Sequence, residues 1–204
     1  MIDYARAKHL GGRPANLDFA VADATHLAFS AQFDLVVSFN CLHWIPDQLA
    51  VLAGITRALK PGGRMFLHFA GKGNVAGMQA VVEEVSARSA WRANFTDFTF
   101  SWCHPDAASY RRLIEEVGLV PERVGLYGTI MLHGGAPALA GWLRTTWLPY
   151  LDRLPEDRRE VFIDEVVAAY LTMRPCDEQG RIWVDAVRLE AEGHRAGTRG
   201  DRGR

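Results

Sequence analysis

Apolar residues in this chain recur in two patterns: short β-branched and aromatic runs, and longer stretches with apolar positions three and four apart. The run Phe33-Asp34-Leu35-Val36-Val37-Ser38-Phe39-Asn40 is nearly continuous, which predicts a parallel strand buried on both faces with helices on both sides. Before it, Leu17-Asp18-Phe19-Ala20-Val21 alternates and ends at Ala22-Asp23-Ala24, predicting a shorter strand. After it, Asp47 is a good N-terminal cap and Leu49, Leu52, Ile55 and Leu59 share one helical face. Lys60-Pro61-Gly62-Gly63 then stops the helix, because proline breaks the hydrogen-bond ladder and glycine permits the reversal, and a strand over 64–70 follows. Strand, helix and strand in this order make a right-handed crossover.

Met78, Val81, Val82 and Val85 predict a second helix. Ala107, Tyr110, Leu113, Ile114 and Val117 predict a third, ending at Gly118. Between them Trp91, Phe95, Phe98, Phe100 and Trp102 form a stretch too apolar for a plain linker, suited to covering a sheet edge or a pocket. A strand over 124–130 follows. Pro137 then opens a helix bearing Leu139, Trp142, Leu143 and Leu151, interrupted at Pro149. Pro155-Glu156-Asp157 starts another, with Phe162, Val166, Tyr170 and Met173 on one face. A last strand over 181–191 carries charges that suggest a sheet edge. Residues 1–8 read as a short helix and Gly11-Gly12-Arg13-Pro14 as a loop. The glycine- and arginine-rich tail 193–204 reads as disordered. The pattern gives one α/β domain over 1–192.

With 204 residues, 49% hydrophobic and 23% charged, the chain has the balance of one globular domain. A net charge of −1 gives no electrostatic reason to expect nucleic acid or a membrane surface, so a small molecule is the expected partner. Cys41, Cys103 and Cys176 are odd in number and far apart, matching neither a disulfide framework nor a zinc site, and the absence of a secretory signal fits a cytoplasmic setting. His9, His26 and His68 lack metal-ligand spacing, so no metal is expected.

Asp23-Ala24, then Phe33 through Trp44 ending Asn40-Cys41-Leu42-His43-Trp44, then Leu59-Lys60-Pro61-Gly62-Gly63-Arg64 resemble consecutive blocks of Rossmann-like class I S-adenosylmethionine-dependent methyltransferases of the type 11 group. Further on, Gly141-Trp142-Leu143-Arg144-Thr145-Thr146-Trp147-Leu148-Pro149-Tyr150-Leu151, Phe162 and Val187-Arg188-Leu189 resemble the trans-aconitate 2-methyltransferase-like group. The resemblance implies a mostly parallel sheet with an antiparallel edge strand, and a helical substrate-side cover over 135–175. It also implies a first strand, a Gly-x-Gly loop and a second strand ending in an acid ahead of the block that Met1-Ile2-Asp3-Tyr4-Ala5-Arg6 resembles. On this expectation the fold is N-terminally incomplete, Met1 stands where the family has an internal methionine, and a preceding segment or a partner chain completes the sheet. Each buried backbone group left unpaired there would cost about 1–3 kcal/mol.

The resemblance assigns S-adenosyl-L-methionine as cofactor. Asp23 would accept a hydrogen bond from the adenine amino group and the Ala24 N–H would reach a ring nitrogen; the plainer reading of Asp23 is a cap for the next turn. Asn40 falls at the carboxyl end of the central strand, where open α/β sheets bind ligands, though an ordinary turn asparagine would also sit there. His43 could act as a base or merely satisfy local hydrogen bonds. Trp44 could shield the reacting methyl or pack under the next helix.

Methyl transfer from a sulfonium is an in-line displacement, and a carboxylate acceptor is already ionised at neutral pH, so the site needs cations and donors more than a base. Arg144, His133 and Tyr150 are the candidates to hold such an acid, with Arg144 foremost because guanidinium grips carboxylate bidentately, against the plainer reading of a solvated helix arginine. The expected function is methyl transfer to a carboxylate oxygen of a small acid. The alternative is a catalytically inactive remnant or partner-completed subunit that does not bind cofactor alone. A nicotinamide dehydrogenase fits the quoted blocks poorly.

Overall fold

In this computed structural model, residues 1–9, 16–100 and 102–197 are described. After helix α1 (Ile2–His9), the strands β1 (Phe33–Phe39), β2 (Leu59–Ala70), β3 (Leu119–His133) and β4 (Ile182–Arg195) form, among the described residues, one mixed sheet in the order β1-β2-β4-β3. Strands β1 (Phe33–Phe39) and β2 (Leu59–Ala70) are parallel and joined by helix α2 (Gln48–Ala58), the crossover predicted from the apolar pattern. Strand β4 (Ile182–Arg195) runs antiparallel to β2 on one side and to β3 (Leu119–His133) on the other. The Asp47 carboxylate starts α2 by accepting the Ala50 N–H at 2.9 Å. The helix ends at Ala58, and Leu59-Lys60-Pro61-Gly62-Gly63 is already extended. The register jumps from Phe33 opposite Leu59 to Leu35 opposite Arg64, so these residues form an irregularity in which Gly62 takes φ 78°. A Cβ on Gly63 would meet the Phe33 carbonyl at 3.0 Å, which is why the two strands can close only over glycine there.

Helices α2 and α4 (Ala107–Glu116) cover one face of the sheet, packing Leu52, Ile55, Tyr110 and Ile114 on Leu67, Phe69 and Leu189. The Tyr110 hydroxyl donates to Gln48 Oε1 at 3.1 Å and ties the two helices together. The opposite face is covered at one end by α3 (Ala76–Ser86), α5 (Ala136–Thr146), α6 (Leu148–Leu151) and α7 (Glu156–Met173). They bury Val82, Leu143, Trp147, Phe162 and Val166 against Ile182, Val184 and Ala186 at the start of β4. No helix among the described residues is long and apolar enough to cross a membrane.

The α/β class holds, and several expectations within it change. Leu17–Val21 forms no strand and Val21 is largely exposed, since no neighbouring strand among the described residues supplies a ladder. Strand β1 is bare on one face: Leu35, Val37 and Phe39 are 56%, 50% and 58% exposed, because α2 covers only the opposite side. The antiparallel strand is interior rather than at an edge. Its charges are matched across the ladder, with Arg123 on β3 reaching Glu190 at 3.0 Å and Glu192 at 2.6 Å. The strand also runs to Arg195, three residues into the stretch read as tail, where Arg195 donates to the Leu59 carbonyl at 2.6 Å. Met173, expected on the buried face of α7, is 53% exposed in the last turn. The predicted Gly11–Pro14 loop and the tail from 198 onward lie outside the described residues.

Candidate functional site

A cleft of about 370 Å³ opens where β1 and β2 reach their carboxyl ends, the position at which open α/β sheets hold ligands. Asn40 follows β1 directly with φ 51°, its N–H donating to the His68 carbonyl at 2.8 Å, so the chain turns sharply away from the sheet and opens the cleft. The next turn, Leu42–Trp44, brings in His43 and Trp44, and its His43 carbonyl accepts the Cys103 N–H at 2.9 Å. That bond draws Trp102 onto the same wall, with its ring 5.9 Å from His43 and 5.2 Å from Trp44. From β4 comes Arg188, opposite Ala70 in the ladder, and from α5 come Trp142, Thr145 and Thr146. The loop after β2 fixes Arg188 from behind: the Gly71 N–H donates to the Val187 carbonyl at 3.0 Å, and buried Asn74 accepts the Val187 N–H at 3.1 Å.

Polarity in this cleft has one sign. Among the described residues that line it, Arg188 is the only formally charged side chain and none is a carboxylate. Half-buried Arg188 makes no side-chain hydrogen bond or ion pair among the described residues, and loss of water pulls its pKa below the ordinary guanidinium value. His43 is 9% exposed, and burial, helped by His104 and Arg188, lowers its pKa to about 4. His104 is lowered by burial and by Arg188. Both imidazoles are neutral at pH 7. Among the described residues, five buried side-chain nitrogens lack a partner: His43 Nδ1, Trp102 Nε1, His104 Nε2, His133 Nε2 and Trp147 Nε1. All five belong to the ring cluster around this cleft, His133 through Trp142 at 5.4 Å and Trp147 through Trp102 at 5.3 Å. Each unmet polar nitrogen costs about 1–3 kcal/mol, so such a concentration at one place calls for a reason.

The structure brings Asn40, His43 and Trp44 together at this cleft and places the other sequence candidates elsewhere. Trp44 is not packed under α2; it stands 42% exposed at the rim. Asp23 caps its own turn, accepting the Thr25 N–H at 2.8 Å and hydroxyl at 2.7 Å, which lowers its pKa. Its other oxygen has only a 3.4 Å contact to His26, and the neighbouring Ala24 N–H begins the turn without an internal partner. His133 reaches the cluster only behind Trp142. Tyr150 lies 3% exposed among Phe95, Phe98 and Phe100, away from the cleft, and burial pushes its hydroxyl up to about 12. Arg144 is the clearest displacement: Glu160 on α7 takes its guanidinium bidentately at 2.7 and 2.6 Å on the outer surface. The aromatic stretch divides, Trp91 entering the core against Phe162 and Trp102 lining the cleft. Arg188 escaped the sequence reading, although it continues the alternate-residue face of Ile182, Val184 and Ala186.

A family model described as a methyltransferase domain matches residues 1–67. The trans-aconitate 2-methyltransferase of Streptomyces avermitilis is 28% identical over 187 residues, covering 88% of this chain and 66% of that protein. The juvenile hormone acid O-methyltransferase of Drosophila melanogaster is 26% identical over 147 residues, covering 71% of this chain and 49% of that protein. The chain thus spans about half to two thirds of the length of these relatives. Among solved structures, a Bacillus halodurans protein described as a methyltransferase superposes with a TM-score of 0.61 at 14% identity, covering 96% of this chain and 78% of that one. The YcgJ protein of Bacillus subtilis superposes at 0.57 with 15% identity, covering 95% and 76%. The strand order, the cleft at the carboxyl ends of β1 and β2, and these likenesses together show that the chain has the α/β fold of Rossmann-like methyltransferases and is similar in sequence to a methyltransferase domain over residues 1–67.

Proposed function

We propose that the chain serves methyl transfer from S-adenosyl-L-methionine to a carboxylate oxygen of a small acid bound in the cleft. The observation that carries this is the cleft's polarity: among the described residues it is lined by neutral polar side chains and one guanidinium without an ion-pair partner, and by no carboxylate that would repel an anion. Two relatives named for methylating acids, trans-aconitate and juvenile hormone acid, support the same class of acceptor. When bound, the cofactor supplies a methyl group on a sulfonium sulfur, which an ionised acceptor takes without any proton being removed. The residues fit this division of labour. The Asp23 oxygen that has only its 3.4 Å contact to His26, together with the Ala24 N–H, suits an adenine edge, and Asn40 lines the cleft where the methyl donor would lie. His43, held neutral, acts as a donor and a wall rather than as a base, and Trp44 and Trp102 exclude water from the reacting groups. Helices α5 to α7 form the substrate-side cover. The bare edge of β1 supports completion of the sheet there by another strand, from further sequence or from a partner chain.

The test is to incubate the protein with methyl-labelled cofactor and a panel of small acids, alcohols and amines, and to follow label into base-labile esters. The expected result is label in acids alone, with S-adenosylhomocysteine binding visible by calorimetry. Label confined to amines or alcohols, or no cofactor binding at high micromolar concentration, sinks the assignment.

A further inference from the structure

The aromatic stretch between α3 and α4 has two sides. Trp102 turns to the cleft, while Phe95, Phe98 and Phe100 line a second cavity of about 370 Å³ that shares no lining residue with the first. That size suits a small molecule. The three phenylalanines are only half-buried, and their rings meet Tyr150 at 5.6, 4.7 and 5.1 Å, inclined to it by 52°, 64° and 49°. Rings inclined in this way make a concave apolar wall rather than a closed stack. Tyr150 is the floor, 3% exposed, and its hydroxyl has no hydrogen-bond partner among the described residues. Arg153 braces the wall from outside: its guanidinium donates to the Asn94 and Thr96 carbonyls, each at 3.2 Å, and lies 5.9 Å from the Phe98 ring centre.

Two opposite charges stand at the mouth. Glu83 on α3 and Arg92 in the turn Arg92–Phe95 are exposed residues of the lining. The charge of Glu83 adds to the burial that raises the Tyr150 hydroxyl, which sets this carboxylate near the floor. Among the described residues, Glu83 accepts the neutral Gln79 amide at 2.9 Å and neither it nor Arg92 forms an ion pair. Their neighbours do pair, Arg88 with Glu84 at 2.9 Å and with Glu165 at 3.1 Å. A lone ammonium group entering this mouth is drawn to Glu83 and repelled by Arg92, and a lone carboxylate meets the reverse. A ligand that carries both charges close together, with an apolar group beside them, is complementary to the whole cavity.

We propose that this second cavity binds a free α-amino acid with an apolar or aromatic side chain, its ammonium group on Glu83, its carboxylate on Arg92 and its side chain among Phe95, Phe98 and Phe100. The site stands apart from methyl transfer and uses none of the residues of the cleft.

Calorimetry on the full chain with L-phenylalanine, phenethylamine, hydrocinnamate and glycine separates the parts of the ligand. L-phenylalanine is expected to bind, and the other three, each lacking one charge or the ring, to bind at least about 10-fold more weakly. Glu83→Gln should weaken L-phenylalanine by about 10-fold and leave hydrocinnamate as tight as before or tighter. Arg92→Met should weaken L-phenylalanine likewise and spare phenethylamine. Both side chains are exposed, so both variants should match the wild type by circular dichroism. S-adenosyl-L-methionine itself ends in an amino-acid group, so the titration is repeated with saturating S-adenosylhomocysteine, under which binding should persist. Absence of heat from L-phenylalanine at millimolar concentration, equal binding of either singly charged analogue, wild-type affinity in either variant, or displacement by S-adenosylhomocysteine overturns the site.

Discussion

His43 is neutral because it is buried, and that has a sign that can be measured. Its ordinary pKa of 6.5 applies to the unfolded chain, while the folded chain holds it at about 4, so between these values only the unfolded state binds the proton. Stability is therefore fully present above about pH 6.5 and is lost as pH falls toward 4, by up to about 3 kcal/mol from this group. His104 adds a loss of the same sign. Urea midpoints at pH 7 and pH 4.5 should differ, and His43→Phe should narrow the gap; an unchanged gap would mean that the ring is solvated. At the same scale, Arg144→Ala should leave both the melting temperature and the transfer of labelled methyl to acids as they are, since its guanidinium is held by Glu160 at the surface. Sequence singled out Arg144 and passed over Arg188 for an intelligible reason. Helical phase turns Trp142, Thr145 and Thr146 to the cleft and Arg144 outward, and one residue of phase is beyond what residue type reveals. For Arg188 the signal was present: an arginine in step with Ile182, Val184 and Ala186 faces whatever they face.

Single elements were legible wherever a local rule determined them. Helix α2 begins after its Asp47 cap, and Asp47→Ala should cost about 1 kcal/mol by chemical denaturation. Helices α3 and α4 also fall where their apolar spacing put them. The misjudged elements depended on neighbours. Leu17–Val21 alternates like a strand yet has no ladder to join, and β4 was read as an edge because its glutamates looked solvent-bound, whereas Arg123 on the adjoining strand pairs two of them. The reach of β4 past residue 192 has its own test. Gly193 packs so closely that a Cβ would come within 2.7 Å of the Val120 carbonyl. Gly193→Ala should cost about 1–3 kcal/mol, whereas a disordered tail would accept the substitution without effect on the urea midpoint.

At the scale of the molecule, the chain's apolar pattern indicated an α/β domain but not the order β1-β2-β4-β3, which depends on contacts between residues more than a hundred positions apart, such as Asn74 with Val187. The near-continuous apolar run of β1 correctly announced a strand, and its composition belongs to one enclosed on every side. Among the described residues it has β2 along one edge and α2 behind one face only. Val37→Lys, which places a charge on that open face, should therefore lower any concentration-dependent light scattering without shifting the unfolding midpoint downward. The same one-sidedness should be written into the exchange of backbone hydrogens with heavy water. Alternate amides of Phe33–Phe39 point toward β2 and the rest point outward, so protection along these seven residues should rise and fall with a period of two, slow then fast. Anything that comes to lie along the rim would erase the fast half of that comb, which makes seven amides a residue-by-residue gauge of whether the outer edge of β1 is occupied.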